Sequence, residues 1–307
     1  MRVSAPEIIS DDANRCGEAP IWDAARRRLL WTDIPADTVY ELAPAGGGRR
    51  SFHPGVSVSA IALNHDGSLL FGGAAGLSLW NEHGGGSLRT IIAGHEGESL
   101  AINDMIADAR GRIYAGTVYW GDAGMEKHGK LYLIATDGSA RIVEAGIELA
   151  NGLGFSPDDR TLYFADSAGR RIYACDVAPE TGVLSRRRTF AQMTTEDGIP
   201  DGLTVDAEGF VWCAMWYGGQ VVRFDPAGRV ERRLPLPARQ TSSLAFGGED
   251  GSDLYVTTAA EPWPSPLAPA AWGVDAPQGG PLYRLRTTFR GRPEHLARFA
   301  VSSRGGH

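Results

Sequence analysis

Residues 199–216 read Ile-Pro-Asp-Gly-Leu-Thr-Val-Asp-Ala-Glu-Gly-Phe-Val-Trp-Cys-Ala-Met-Trp. An alternating apolar run enters a polar turn at Asp206–Gly209, and a second apolar run leaves it. That is the pattern of two antiparallel strands joined by a tight turn. Asp201 opens the first strand, where burial begins, and a carboxylate placed there needs a reason.

The pattern recurs along the chain. Asp201, Asn103 and Ser59 each precede an apolar strand, with Asp or Asn five residues on (Asp206, Asp108, Asn64) and Gly eight residues on (Gly209, Gly111, Gly67). Asn151 fits with one inserted residue, and Glu18 and Ser242 fit with slightly longer turns. The six copies lie roughly 40 to 50 residues apart, a period that signals a β-propeller. Each hairpin is followed by a further strand-like run: DTVYEL, GLSLW, GKLYLIA, RRIYACDV, GQVVRFD and GPLYRL. The expected fold is all-β, a six-bladed β-propeller forming a single domain over residues 1–307. An open edge strand invites aggregation, so the N-terminal run PEIIS is expected to close the ring as the outer strand of the last blade.

Composition agrees. Of 307 residues 43% are hydrophobic, and 40 glycines and 18 prolines are spread along the chain as turn punctuation. The net charge of -7 comes with no basic stripe, which argues against nucleic acid and anionic membrane surfaces as partners. Arg186-Arg187-Arg188 reads as a solvated loop. Three separated cysteines, Cys16, Cys175 and Cys213, make neither a disulfide framework nor a zinc site. No apolar signal core or membrane span is present, so a cytoplasmic protein is expected.

In a propeller, the first strand of each blade lines the central channel. The six strand-opening residues, Glu18, Ser59, Asn103, Asn151, Asp201 and Ser242, should therefore converge at one channel mouth, all offering oxygen. Two carboxylates buried together repel unless compensated. A hard divalent cation such as Ca²⁺, Mg²⁺ or Mn²⁺ would compensate them; polar caps on turns are the other use such residues can have.

Four separated motifs then carry a resemblance: Gly17-Glu18-Ala19-Pro20-x-Trp22, Asn103-Asp104, Asn151-Gly152-Leu153-x-Phe155-Ser156 and Pro200-Asp201-Gly202-Leu203. In this order, across essentially the whole chain, they resemble the senescence marker protein/gluconolactonase/luciferin-regenerating enzyme family. The resemblance implies a six-bladed propeller with one catalytic divalent metal (Ca²⁺, Mg²⁺, Mn²⁺, Zn²⁺ or Fe²⁺). It places metal ligands on Glu18, Asn151 and Asp201, and a residue touching substrate or metal-bound water on Asn103.

Two departures bear on substrate. Ala101 stands where the family often has an arginine, and the run Gly116-Thr117-Val118-Tyr119-Trp120-Gly121 lacks a glutamate frequent there. Losing a donor and a carboxylate while presenting Tyr119 and Trp120 as substrate contacts points to a less hydroxylated lactone, or to a sugar held by stacking.

Other chemistry is poorly represented. The seven histidines form no HxH or HExxH pair, and those such as His65 and His83 read as surface residues. There is no GxSxG elbow, and the glycine runs 46–48 and 84–86 read as loops that enter no helix. The proline-rich segment 261–280 reads as a stiff loop or as a wall over one face. Trp216 and Tyr217 read as core or rim aromatics. The function these readings predict is opening of a small lactone by metal-activated water, with Asp201 as general base by the resemblance. The rivals are an organophosphate or aryl ester hydrolase on the same metal, and a non-enzymatic propeller that binds calcium or a partner.

Overall fold

The computed structural model describes residues 3–43, 48–82, 85–121 and 123–300. His83, Gly46, Gly47 and Gly84, read above as surface and loop positions, lie outside the described residues. Six four-stranded antiparallel sheets follow one another along the chain. Their innermost strands are Gly17–Asp23, Ala60–Leu63, Ile102–Ala107, Ala150–Phe155, Ile199–Val205 and Thr241–Gly247. Each inner strand packs against the next, and the first against the sixth, which closes a ring of six blades. The outer strand of the sixth blade is Glu7–Ser10, paired antiparallel with Leu282–Arg286. The N-terminus thus seals the ring, as PEIIS predicts.

The repeated turn has a chemical reason. Asp206 Oδ1 accepts the backbone N–H groups of Glu208 (2.9 Å) and Phe210 (3.0 Å), and Asp108 does the same for Arg110 and Arg112. Gly67, Gly111 and Gly209 follow at φ of +87°, +81° and +85°, where a side chain would be strained. Hydrophobic clusters fill the seam between each pair of neighbouring blades; one packs Tyr163, Ala165 and Ile172 of blade four against Leu203, Val211 and Cys213 of blade five. The core is therefore a ring of six seams around the axis.

One expectation changes. Arg186–Arg188 lie within the outer strand Val183–Gln192 rather than a loop, and they are paired: Arg187 with Glu144 (3.1 Å), Arg186 and Arg188 with Asp176. The residues after the last strand cross the far face of the ring. Ala297 N–H donates to Leu63 and Arg298 N–H to Gly111, and Arg292 reaches Ser156 and Asp159.

The inner strands crowd together at the axis. A Cβ on Gly152 would stand 2.3 Å from the Leu203 nitrogen and 2.5 Å from the Asp201 carbonyl oxygen. Both are backbone atoms that cannot yield cheaply. Gly152→Ala is therefore expected to destabilise the protein by about 1–3 kcal/mol, read by urea unfolding. A loss below about 0.5 kcal/mol, the range of neutral surface changes, would contradict this close approach.

Candidate active site

Five of the six inner strands break register near their opening residue, between Glu18 and Ile21, Ile102 and Asp104, Ala150 and Leu153, Pro200 and Leu203, and Thr241 and Ser243. A bulge re-aims side chains out of the regular alternation. Here it brings Glu18, Asn103, Asn151 and Asp201 to one mouth of the channel, around a cavity of about 470 Å³. That size is usual for a small-molecule site, roughly 300–1,000 Å³.

Glu18 Oε2 accepts the N–H of Ala19 (2.9 Å), whose backbone sits at φ +47°. Burial pushes its carboxyl up to about 8 against that hydrogen bond, and Asp104 adds to the rise. Asp201 is 5% exposed, and its Oδ1 is buried without a hydrogen-bond partner. Its carboxyl is held well above the usual range by burial first, then by Glu18 and Asp104; donation from Asn151 and the Gly202 N–H opposes the rise. Asn151 Nδ2 donates to Ser167 Oγ (3.3 Å) and Asn103 Nδ2 to the Ala150 carbonyl (3.0 Å). The Cys16 thiol also lines the cavity and is driven up by burial, then by Glu18 and Asp201.

Two acids therefore face one cavity with no cation beside them. The one arginine among the described lining residues, Arg15, is engaged by Glu261 (2.8 Å) and by the Pro35 carbonyl (3.3 Å). An orphaned carboxylate oxygen among oxygen donors suits a hard divalent cation. Among the described residues no group of three His, Cys, Asp or Glu has metal-binding geometry; the donor set here reaches three only through the Asn151 amide.

Ser59 and Ser242 do not join this set. The Ser59 hydroxyl lies 2.7 Å from the Ile102 carbonyl of the next blade, and Ser242 donates to the Gly17 carbonyl (2.5 Å). Short hydroxyl side chains here stitch neighbouring blades together instead of lining the cavity. Tyr119 also departs from expectation. Its hydroxyl donates to the Ser99 carbonyl (2.7 Å) and its ring carries Lys127 at 3.9 Å, so it is not among the cavity-lining residues, whereas Trp120 is.

Several lining residues carry no local sequence signal. Arg15 and Glu261 are 246 positions apart, and Trp263 sits in the proline-rich segment. Trp216, read as a core or rim aromatic, lines the cavity too. At the opposite end of the channel a cavity of about 90 Å³ holds Asp104, Glu294 and His295. Burial pushes the Asp104 carboxyl up to about 7, with the Met105 N–H opposing and Glu294 adding. His295, half-buried, meets Asp159 at 2.9 Å.

A closed six-bladed ring with acids and amides gathered at one end of its axis defines a β-propeller with a polar channel mouth. Comparison with known proteins gives the family. Residues 16–260 match the SMP-30/Gluconolactonase/LRE-like region, and the chain belongs to that family. It is 33% identical over 296 residues to the pentonolactonase XacC of Haloferax volcanii, covering 93% of this chain and 96% of that protein. It is 32% identical over 259 residues to human regucalcin, covering 82% and 86%. Among solved structures, a regucalcin from Agrobacterium tumefaciens described as calcium-binding superposes with TM-score 0.84 at 29% identity, covering 96% of this chain and 98% of that one. A luciferin-regenerating enzyme superposes with TM-score 0.88 at 23% identity, covering 96% and 99%, a likeness of fold. No helix among the described residues is long and apolar enough to cross a membrane.

Proposed function

We propose that this protein is a divalent-metal-dependent lactonase that opens a small lactone with water. Glu18, Asn151 and Asp201 would hold the metal, Asp201 would act as general base, and Asn103 and Trp120 would meet substrate. The observation that carries the reading is Asp201 Oδ1, a buried carboxylate oxygen without a partner in a cavity shared with Glu18. The family name and the activity in the name of the Haloferax relative support it.

When bound, a divalent cation supplies positive charge against the oxygen that turns negative as the carbonyl is attacked. This chain's own residues do the rest. Asp201, ionised once its burial is compensated, accepts the proton of the attacking water on its carboxylate. The new C–O bond forms at the carbonyl carbon, the ring C–O bond breaks, and the same proton passes to the departing alkoxide. Asn103, anchored through Nδ2 to Ala150, presents a fixed amide to the substrate. The products are one hydroxy acid and no second fragment.

The test is a pH-indicator assay over lactones, aryl esters and phosphotriesters, each with a divalent cation and with chelator. Chelator-sensitive opening of lactones is expected. Cation binding without any turnover would leave a calcium-binding propeller, and turnover confined to esters or phosphotriesters would replace the lactonase reading.

A further inference from the structure

Blades three and six carry insertions between their second and third strands, residues 118–128 and 259–281. These blades stand opposite each other in a ring of six, yet the two insertions touch. Trp120, on a small hairpin pairing Trp120–Gly121 with Gly124–Met125, meets Trp263 with ring centroids 5.7 Å apart. Trp263 in turn meets Trp216 of blade five edge-on at 6.0 Å and stacks on Tyr217 at 6.2 Å. All three indoles line the cavity that holds Glu18, Asn151 and Asp201. Together they arch over the mouth.

This arch is built in. Gln240 Oε1 accepts the Trp263 N–H (2.9 Å), the Tyr217 hydroxyl donates to the Trp263 carbonyl (2.6 Å), and Arg170 donates to the Leu267 carbonyl. Meanwhile most polar side chains of the mouth are engaged within the protein, and the buried groups left without a partner among the described lining residues are Asp201 Oδ1 and the Trp216 indole N–H. Asn103 is tied to Ala150, Asn151 to Ser167, and Arg15 to Glu261 and Pro35. Hydroxyls carried into this space would exchange water for indole, Val118, Leu149 and Ile199, a loss when no partner replaces the water. An apolar group gains from the same burial.

We infer that the substrate is a lactone bearing an alkyl or aryl substituent, whose apolar body lies against Trp120, Trp263 and Trp216 while its ester faces the carboxylates and amides. The inference rests on the lactonase reading, and its test separates the two. Wild type, Trp263→Ala and Trp263→Phe are assayed at saturating divalent cation on a γ-pentyl-γ-butyrolactone and on gluconolactone. In parallel, intrinsic tryptophan fluorescence of the metal-free proteins is titrated with a γ-pentyl lactam, which resists opening.

Wild type is expected to favour the alkyl lactone in kcat/KM by about tenfold or more. Trp263→Ala should raise KM for it by about tenfold while kcat moves much less, the mark of lost uniform binding, and Trp263→Phe should recover most of the loss. The lactam should bind wild type saturably and Trp263→Ala about tenfold more weakly, in line with a lost aromatic contact and its buried area. A preference for gluconolactone, or an unchanged KM and lactam affinity in a folded Trp263→Ala protein, would overturn the apolar class while leaving the lactonase standing. Should no lactone be opened with any cation, the lactonase reading falls and the substrate inference with it; lactam binding would then report only that the arch accepts apolar rings.

Discussion

Asp201→Asn is expected to leave the propeller folded and to lower lactone turnover by about 10² to 10⁴-fold at saturating divalent cation, the usual worth of general-base help. The substitution keeps an oxygen ligand and nearly the same volume. The inner strand keeps its buried Leu203 and Val205, so the seam between blades four and five is undisturbed. An amide cannot take the proton of the attacking water, so added metal should restore occupancy without restoring rate. Glu18→Gln, which removes a ligand charge away from the proton transfer, should lose affinity for the cation and keep more of its rate at saturation. Near-normal turnover of Asp201→Asn at saturating metal would remove Asp201 from the chemistry.

The metal-free protein should lose stability as pH rises from about 5 to 8, on the order of a few kcal/mol at about 1.4 kcal/mol per unit of pKa difference. The direction follows from the site. Glu18 ordinarily titrates at 4.5 and is pushed up to about 8 in the fold, so the native state holds a proton that the unfolded chain releases. Stability from such a group is fully present below its unfolded pKa and drains away through its folded one. Asp201 and Asp104, both raised by burial, act in the same sense. The carboxyls held low by hydrogen bonds and ion pairs, among them Asp66, Glu82 and Asp197, act at the acid end, outside this window. Partial access of Glu18 to the cavity and its coupling to Asp201 trim the effect without reversing it. A bound divalent cation should flatten the curve and stabilise more at pH 8 than at pH 5. Denaturant unfolding with and without chelator reads both, and a metal-free protein more stable at pH 8 than at pH 5 would contradict the burial of unpaired acids.

Much of the frame was legible because its determinants are local. In blades two, three and five an Asx residue five positions on and a glycine at positive φ three further on make the same turn. The sheet edge left open by a ring of blades called for a closing strand, and Glu7–Ser10 supplies it. The carboxylate and amide positions were legible for a related reason: a polar residue at the start of a buried strand is costly unless it has a task.

What escaped depends on contacts that sequence spacing does not encode. A serine that opens an inner strand can face the cavity or bond the next blade, and Ser59 and Ser242 do the latter because a carbonyl lies within reach. Tyr119 and Trp120 are neighbours in an extended run, whose side chains alternate sides, so one facing the cavity leaves the other to Ser99 and Lys127. The partnerships of Arg15 with Glu261 and of Trp120 with Trp263 join segments more than a hundred residues apart. The tail that plugs the far channel mouth does so through isolated bridges, at Asn64 with Ala297 and Asp206 with Gly291, too short to leave a periodic signal.

The most direct test of the central claim is calorimetric titration of a divalent cation into the metal-free protein near pH 7, repeated in buffers of different ionisation heat, with Glu18→Gln alongside. One ion per chain is expected, with release of about one to two protons on binding because Glu18 and Asp201, both held protonated, must ionise, and much weaker binding with less proton release in Glu18→Gln. Binding that releases no proton, or that is unchanged in the variant, would mean that the acids at the channel mouth do not hold a metal.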